Sequence, residues 1–269
     1  MAWIISVTNQ KGGVGKTTTA LNLSSALALK GKKVLLVDLD PQRSASSGLG
    51  ICSQKDIYMA LMNQCPLKKV ICSSSINDLD IAPASSHLAG AEIDLVNEEN
   101  REFFLKNKLG EVKNDYEFII IDTPPSLGFL TLNALTASHV FIVPLQCEYY
   151  ALEGLSRLLG TAKEVKKRWN PSLKLQGILL TLFEARNSLS YRVEQEVRRH
   201  FGKQVFRTII PRNVRLSEAP SFGKTIFQYE PHCLGAMAYE QLAGELQQQI
   251  SGQEKAFSLS SERPSAHVF

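Results

Sequence analysis

The sequence has no CxxC pair, no long apolar run and no strong net charge. Its five cysteines are an odd number without a pairing pattern, and they are Cys52, Cys65, Cys72, Cys147 and Cys233. This distribution excludes a disulfide framework and favours isolated reduced thiols over a metal-binding cluster. No apolar run approaches the roughly 20 residues that a transmembrane helix needs. The N-terminus also lacks a basic region followed by a cleavable apolar segment, so we expect a cytoplasmic protein.

The length and composition are those of an ordinary globular protein. The 269 residues suffice for one large domain or two small ones. Hydrophobic residues make up 44% and charged residues 21%, as in other chains that bury a core. Because no repeat and no linker precede residue 250, we predict a single domain over residues 1–252. A polar stretch with several serines follows, and we expect residues 253–269 to form a disordered tail.

Short apolar runs alternate with segments of helical period along the chain. Continuous runs such as 118–121 favour strands that are buried on both faces of a parallel sheet. The predicted strands are 3–8, 33–38, 79–82, 118–122, 140–145, 175–182 and 205–210. The predicted helices lie near 16–29, 88–109, 129–137, 151–168, 189–201 and 236–250. This alternation predicts an α/β fold with a doubly wound, mostly parallel sheet flanked by helices.

A glycine-rich loop lies between the first predicted strand and the first predicted helix. It consists of Lys11, Gly12, Gly13, Val14, Gly15, Lys16, Thr17 and Thr18. Glycines allow backbone N–H groups to converge on phosphate oxygens, and a helix N-terminus adds partial positive charge. Lys16 is expected to reach the β and γ phosphates, and the Thr17 hydroxyl to bind Mg²⁺. A turn with a solvated lysine is the alternative, but the order of these residues favours a P-loop nucleotide site.

Carboxylates stand at the ends of two predicted strands. Asp38 and Asp40 lie at the end of the strand 33–38, directly before Pro41, and Asp122 ends the strand 118–122. Ligands of doubly wound sheets collect beyond the carboxyl ends of the strands. Asp122 therefore matches a Walker B aspartate, which holds Mg²⁺ directly or through water. Strand-end caps or turn acids are the alternative interpretation of all three.

Positive charge is concentrated in one segment. Between Arg186 and Lys224 there are nine Lys or Arg and three Glu, so this segment is net +6 in a chain whose total is +4. A local cationic excess on an otherwise near-neutral protein favours a surface that faces a polyanion. The alternative is a solvated helix face.

The glycine-rich loop resembles the deviant Walker A loop, KGGxGK[ST], of the ParA/MinD superfamily of P-loop ATPases. Gln10 stands where the plain P-loop pattern has its first glycine, and Lys11 precedes the glycine pair. In that family the extra lysine crosses a dimer interface to the phosphates of the partner subunit. The resemblance therefore implies that Lys11 acts in trans and that ATP binding and homodimerisation are one event.

The resemblance extends from about residue 3 to 250 and implies further roles. The DLDPQ segment at 38–42 is similar to switch I, which places Asp38 near the water shell of Mg²⁺. Asp40 would orient or deprotonate the attacking water. DTPPSLG at 122–128 is similar to switch II. Because no arginine is placed by sequence to act as a finger, we expect slow hydrolysis in isolation.

The run IPRNVRLSEAP at 210–220 closely resembles the chromosome-partitioning, Soj-like branch of the superfamily. This likeness implies that Pro211, Arg212 and Asn213 lie beside the adenine and that Glu148 lies near the sugar. Arg186 and Arg215 match positions that bind nonspecific DNA in such relatives, with Lys224 as a weaker addition. Arg186 could instead be a solvated loop residue, and Arg215 could pair with Glu218.

Together these patterns predict a Mg²⁺-dependent ATPase that dimerises with ATP and then binds nonspecific double-stranded DNA on the nucleoid. A ParB-like centromere-binding partner would stimulate hydrolysis and release. A MinD-like membrane ATPase is the main rival, but the stretch after Ile250 contains only Lys255 and Arg263 as cations, so we expect no stable membrane association. An iron–sulphur relative would need paired cysteines. A nucleotide-gated adaptor without catalysis is the third rival.

Overall fold

Seven strands form one sheet in the computed structural model, which describes residues 2–148 and 151–261. The strands are β1 (Trp3–Val7), β2 (Val34–Asp38), β3 (Cys72–Ser73), β4 (Leu79–Ala82), β5 (Phe118–Asp122), β6 (Val140–Gln146) and β7 (Lys174–Thr181). Their order across the sheet is β3-β4-β2-β5-β1-β6-β7. Among these strands only β3 and β4 pair antiparallel. The predicted doubly wound, mostly parallel sheet is therefore confirmed.

Helices connect the strands and cover both faces of the sheet. The long ones are α1 (Lys16–Leu29), α6 (Phe129–Ala137), α7 (Ala151–Arg168), α8 (Ser188–Phe201) and α11 (Leu234–Ser261). The shorter ones are α2 (Ser44–Gly48), α3 (Ile57–Leu61), α4 (Ala91–Asp94), α5 (Phe104–Gly110), α9 (Val214–Glu218) and α10 (Ile226–Tyr229). Single 3₁₀ turns lie at Leu67–Lys69, Ser86–Gly90, Arg101–Phe103, Gly202–Gln204 and Ala219–Phe222.

Alternate residues of each strand enter different apolar layers. In β5, Ile120 packs in the layer that contains α1 and α11, whereas Ile119 and Ile121 pack in the layer that contains α5 and α6. Side chains of a strand alternate between faces, so a strand buried on both sides must be apolar throughout. The sheet therefore acts as a rigid plate whose carboxyl edge can hold polar groups in fixed positions.

Two predicted elements are different in the structure. The helix predicted near 88–109 is divided into α4, α5 and two 3₁₀ turns, because Asn100 has a left-handed φ of 55° that a helix cannot continue through. The strand predicted at 205–210 is wrong, since this stretch forms no continuous strand. Val205 makes an isolated bridge with Ile178 of β7, and the N–H groups of Phe206 and Ile210 donate to carbonyls of β7 at 3.0 and 2.9 Å. The backbone N–H groups of Arg207 and Thr208 donate instead to the carboxylate of Glu245 on α11, at 2.7 and 2.9 Å.

The last helix is longer than predicted. The stripe from Tyr239 to Ile250 packs into the core as expected, but α11 continues to Ser261. Residues 253–261 of the tail expected at 253–269 thus belong to α11, and residues 262–269 lie outside the described part of the chain. No helix among the described residues has the length and apolar character that crossing a bilayer requires.

The segment that follows α8 is anchored to β7 by a close approach. A methyl group on Gly177 would lie 2.6 Å from the ring of Phe206, a fully buried side chain. We therefore expect Gly177→Ala to displace Phe206 and to lower the free energy of unfolding by about 1–3 kcal/mol, as overpacking of a core does. Urea unfolding measures this difference. Gly160→Ala on α7, where a methyl group meets no atom within 4 Å, is the control and should not destabilise the protein.

Candidate functional site

The glycine-rich loop joins β1 to α1 at the carboxyl edge of the sheet. Gly13 and Gly15 have φ values of 73° and 87°, a left-handed conformation that other residues rarely adopt. The hydroxyl of Thr181, at the end of β7, donates a hydrogen bond of 2.8 Å to the carbonyl of Val14. This bond ties the loop to β7, and α1 begins directly after the loop.

Lys16, the first residue of α1, is buried inside this loop. Its Nζ donates to the backbone carbonyl of Lys11 at 2.9 Å, and only 6% of the residue is exposed. Burial lowers the pKa of Lys16, while the nearby carboxylates of Asp122 and Asp40 oppose that shift. The loop therefore holds one desolvated ammonium group in front of a set of acids.

Asp38 and Asp122 lie side by side because β2 and β5 are parallel neighbours in register. Asp38 is the direct partner of Asp122 in this pairing, and each is the last residue of its strand. Both residues are 0% exposed. Ionisation of either carboxylate is costly, because both groups are buried from water and because two adjacent negative charges repel each other.

Asp38 is held by α2. Its Oδ2 accepts hydrogen bonds from the backbone N–H and the hydroxyl of Ser46 at 2.8 and 2.7 Å, and its Oδ1 accepts from the N–H of Asp40 at 3.1 Å. Burial raises the pKa of Asp38 from 3.8 to about 6, and these hydrogen bonds limit the rise. The Asp38 side chain is therefore fixed in direction but costly to ionise in the free protein.

Asp122 is the least satisfied carboxylate of the site. Neither of its oxygens accepts a regular hydrogen bond from any described residue, although the Thr17 hydroxyl lies close enough to oppose the shift of its pKa. Burial, followed by repulsion from Asp38, raises the pKa of Asp122 well above its ordinary value. Carboxylate and hydroxyl oxygens are the ligands that Mg²⁺ prefers. The unpartnered oxygens beside Thr17 therefore fit a hard divalent cation.

This cation site would depend on other ligands for completion. The described residues hold no group of three or more His, Cys, Asp or Glu arranged to bind a metal ion by themselves. Mg²⁺ is commonly bound by one or two protein groups together with substrate phosphates and waters. The sparse acidic set is consistent with that mode of binding.

Asp40 lies beyond the end of β2, directly before a turn at Pro41. Its Oδ1 accepts from the N–H of Gln42 at 2.9 Å, and its carbonyl accepts from the N–H of Arg43 at 2.8 Å. It lines the same cleft as Lys16 and is 7% exposed. A carboxylate in this position faces the space in front of the phosphate loop.

The loop opens into a cleft of about 410 Å³. One wall is the loop itself, and the opposite wall contains Leu216, Ser217 and Pro220 from the α9 region. A smaller adjoining cavity of about 40 Å³ is lined by Pro211 and Asn213, together with residues of the loop and α9. The structure therefore brings two of the three predicted adenine-side residues to the loop. The third, Arg212, makes an ion pair with Glu184 instead.

Lys11 and Glu148 lie together at the rim. They form an ion pair in which both side chains are nearly half exposed. Lys11 also lines a second cleft, of about 510 Å³, with Pro125 and the N-terminal part of α7. Lys11 is therefore directed away from the phosphate cleft of its own chain, at a surface.

The predicted polyanion-binding cations differ in their partners. Arg186 and Lys224 are exposed. Arg215, on α9, is also exposed but makes an ion pair of 2.8 Å with Glu218, which is the alternative that the sequence left open. Tyr229 donates to the same Glu218 oxygen at 3.1 Å. Exposed pairs of this kind contribute little to stability and exchange readily for another anion.

Several residues of the site have no signal in the sequence. Ser46 holds Asp38, and Thr181 holds the loop. Ser46 also accepts a hydrogen bond from the N–H of Ala84 at 3.0 Å, which ties α2 to the end of β4. These are ordinary residue types whose role depends on segments that meet only in the folded chain.

The sequence is similar to known partitioning proteins. A family model described as an AAA domain matches residues 2–175. The chain is 52% identical over 249 residues to the sporulation initiation inhibitor protein Soj of Bacillus subtilis, which covers 91% of this chain and 98% of Soj. It is also 52% identical over 246 residues to the chromosome partitioning protein ParA of Myxococcus xanthus, covering 90% of this chain and 87% of that one.

The fold is similar to solved structures that contain nucleotide. A cobyrinic acid a,c-diamide synthase from Mycobacterium smegmatis, crystallised with ADP and magnesium, superposes with a TM-score of 0.82 at 36% identity. The match covers 93% of this chain and 96% of that one. The same protein with an ATP analog and magnesium matches equally well.

The unpartnered carboxylate predicts an unusual stability effect. We expect Asp122→Asn to raise the free energy of unfolding of the nucleotide-free protein in EDTA by about 1–3 kcal/mol, because it removes a buried charge without partners. Thermal unfolding at neutral pH measures the change. Asp56→Asn is the control, since Asp56 is buried but caps α3 through the N–H of Met59, and Asn caps equally well.

The same acids predict a pH dependence with a definite sign. The folded-state pKa of Asp38 is raised from 3.8 to about 6, and that of Asp122 is raised as well. The contribution of Asp38 to stability is therefore present below about pH 4 and is lost as the pH rises through about 6, and the contribution of Asp122 has the same sign. Asp122→Asn should flatten this decline in the nucleotide-free protein. An equal decline in the variant and the wild type would contradict the assignment of the buried charge.

Proposed function

We propose that this chain, which belongs to the ParA/Soj family of partitioning P-loop ATPases, hydrolyses ATP slowly and binds DNA as an ATP-dependent homodimer. A ParB-like partner stimulates hydrolysis and so releases the DNA. The observation that carries this proposal is the buried set of Lys16, Asp38 and Asp122 in front of the glycine loop. A desolvated ammonium group and two costly carboxylates become favourable together when a Mg²⁺-bound triphosphate joins them.

The cleft supplies the groups that a nucleoside triphosphate needs. The backbone of Gly12 to Thr18 and the ammonium group of Lys16 bind the phosphates, and the α1 N-terminus adds its partial charge. Pro211 and Asn213, which line the adjoining cavity, contact the base. Arg212 and Glu148 reach the nucleotide only after they leave Glu184 and Lys11, their present partners.

Thr17, Asp122 and Asp38 would hold Mg²⁺, the first through its hydroxyl and the acids directly or through water. The bound ion would supply neutralisation of the charge on the phosphates. Asp40 then orients or deprotonates the attacking water, since it lines the cleft and is held by the turn that follows β2. One carboxylate without an arginine finger gives a slow reaction in the monomer.

Lys11 connects the nucleotide to dimerisation. Its ion pair with Glu148 lies at the surface and is therefore weak, so the lysine can exchange that carboxylate for the phosphates of a partner subunit. Two subunits that face each other across their clefts would each provide Lys11 to the other. The dimer brings a second cation to each site, which stabilises the charge that develops during phosphoryl transfer.

DNA binding follows from doubling the cationic surface. Arg186, Arg215 and Lys224 contact phosphates rather than bases, so binding is independent of sequence and sensitive to salt. In a dimer the two copies of this surface bind one duplex with a higher effective concentration. Dimers and monomers then differ greatly in affinity, which makes DNA binding dependent on ATP.

The cargo and the partner are inferred from the family. The chromosome partitioning protein ParA at 52% identity favours chromosome partition, and the family resemblance implies a ParB-like centromere-binding protein as the activator. A MinD-like ATPase that positions a protein assembly at a membrane is the alternative, and co-sedimentation of the ATP-bound protein with anionic vesicles distinguishes the two.

Two substitutions separate nucleotide binding from turnover. Lys16→Ala should weaken ATP binding by about 10- to 150-fold, since it removes a charge-assisted contact with the phosphates. Asp40→Ala should leave ATP binding intact and lower turnover by about 10²- to 10⁴-fold, and it should trap an ATP-bound dimer. Fluorescent nucleotide titration, phosphate release and light scattering measure these effects.

The wild-type protein with ADP is the control for the molecular mass. Turnover at the wild-type rate by Asp40→Ala would refute the role of Asp40 in positioning water. A monomer in Asp40→Ala at saturating ATP would refute ATP-dependent dimerisation.

The DNA surface is tested by charge reversal. Arg186→Glu combined with Arg215→Glu should abolish measurable duplex binding by the ATP-bound protein. Less drastic substitutions at these positions should make the dependence of duplex affinity on salt less steep, by about one unit of slope per lost phosphate contact. Fluorescence anisotropy over a salt series measures both. Lys68→Glu combined with Lys69→Glu is the matched control, because these exposed lysines follow Leu67, which packs with β2 and β4 away from α8. Equal binding by both double variants would refute the assignment.

A further inference from the structure

Two glycines form a direct contact between backbones that are distant in the sequence. A methyl group on Gly223 would lie 3.0 Å from the Cα and 3.2 Å from the N of Gly50, and one on Gly50 would lie 3.5 Å from the Cα of Gly223. Both residues have left-handed φ values, 64° and 67°. Nearby, a methyl group on Gly48 would meet Pro220 at 3.6 Å. The backbone segments around Gly50 and Gly223 therefore touch with no side chain between them.

The backbone segment that contains Gly50 is connected directly to the acids of the site. The N–H of Gly50 donates to the carbonyl of Ser47 at 2.9 Å, and the N–H of Ile51 donates to the carbonyl of Ser46 at 3.0 Å. Ser46 holds the Asp38 carboxylate through two hydrogen bonds. One short helix, α2, therefore connects the residue that holds Asp38 to Gly50.

The backbone segment that contains Gly223 is connected to the cationic surface. Gly223 ends the 3₁₀ turn that follows α9, and its N–H donates to the carbonyl of Pro220 at 3.0 Å. Lys224 is the next residue, and its N–H donates to the carbonyl of Ala219 at 3.2 Å. Arg215 lies on α9, the helix that directly precedes this 3₁₀ turn. Two proposed DNA-binding residues therefore flank the same rigid stretch.

The stretch from 214 to 224 also touches the nucleotide cleft. Ser217 and Pro220 line it, opposite the glycine loop. Asn213, which lines the smaller cavity, caps α9 by accepting the N–H of Arg215 at 2.9 Å. The stretch thus contacts the nucleotide cleft and the segment after α2, the helix that holds Asp38, and its remaining side faces solvent.

We propose that the contact between Gly50 and Gly223 is a coupling joint that sets the position of Arg215 and Lys224 according to the nucleotide at Asp38. This inference rests on the proposed ATP-dependent binding of DNA. Packed backbones transmit a displacement because their interface has few alternative arrangements. A side chain at either position would hold the two backbone segments apart. The position of the cationic stretch would then no longer depend on the bound nucleotide.

Gly223→Ala tests the joint. The readout is the ratio of duplex affinities with a slowly hydrolysed ATP analogue and with ADP, measured by anisotropy at fixed salt. We expect this ratio to fall by about tenfold or more, while the affinity for the analogue in the absence of DNA stays within about twofold of the wild type. Coupling is reciprocal, so duplex DNA should raise the affinity for the analogue in the wild type and should fail to do so in the variant.

Gly31→Ala is the matched control. Gly31 also has a left-handed φ, 75°, but a methyl group there meets no atom within 4 Å, so the variant carries the backbone strain without the contact. Its ratio should equal that of the wild type. An equal loss in Gly31→Ala would show that strain alone causes the effect and would overturn the joint.

The outcomes separate this inference from the proposed function. Wild-type protein that binds DNA equally with both nucleotides would refute the proposed function itself. Wild-type protein with a clear ratio, together with Gly223→Ala that keeps it, would overturn the joint alone. If circular dichroism shows that Gly223→Ala does not fold, Gly50→Ala gives the same readout with a milder approach of 3.5 Å. A wild-type ratio in that variant would likewise overturn the joint.

Discussion

The parallel register of β2 and β5 is the constraint on which the rest of the site depends. It places Asp38 and Asp122 next to each other at the carboxyl edge of the sheet, both without exposure to water. Burial raises the pKa of each, and Asp122 has no regular hydrogen-bond partner among the described residues. Such an arrangement is unfavourable in the free protein and becomes favourable when cations join it. The free fold is thus prepared for a charged ligand rather than optimised for its own stability.

The elements around these acids divide the remaining tasks. The glycine loop provides backbone donors and the ammonium group of Lys16, and Thr181 keeps the loop in position from β7. Ser46 fixes the direction of Asp38 without neutralising it. The opposite wall is α9, which carries Leu216 toward the cleft and Arg215 toward solvent. The ligand proposed for the cleft and the polyanion proposed for the surface would therefore contact the same short helix.

Local patterns in the chain account for the parts that were predicted correctly. The glycine loop lies within eight consecutive residues between a strand and a helix, and Asp38 and Asp122 end apolar runs, so each could be recognised without knowledge of its neighbours. The stretch at 205–210 was misassigned because its β-branched and apolar residues are typical of a strand. Glu245, from the last helix, binds two of the N–H groups that a strand would have used. That competition is not visible in the residues of the stretch itself.

The order of strand, loop and helix, and the acids at strand ends, are determined by the sequence, because chemistry at a few adjacent positions suffices to specify them. Tertiary structure decides which of these groups meet and which are already occupied. It pairs Lys11 with Glu148 and Arg212 with Glu184, and it brings Gly50 against Gly223. Most of these partners come from separate segments of the chain, and their distances are set by how helices pack on the sheet. No local pattern records that packing.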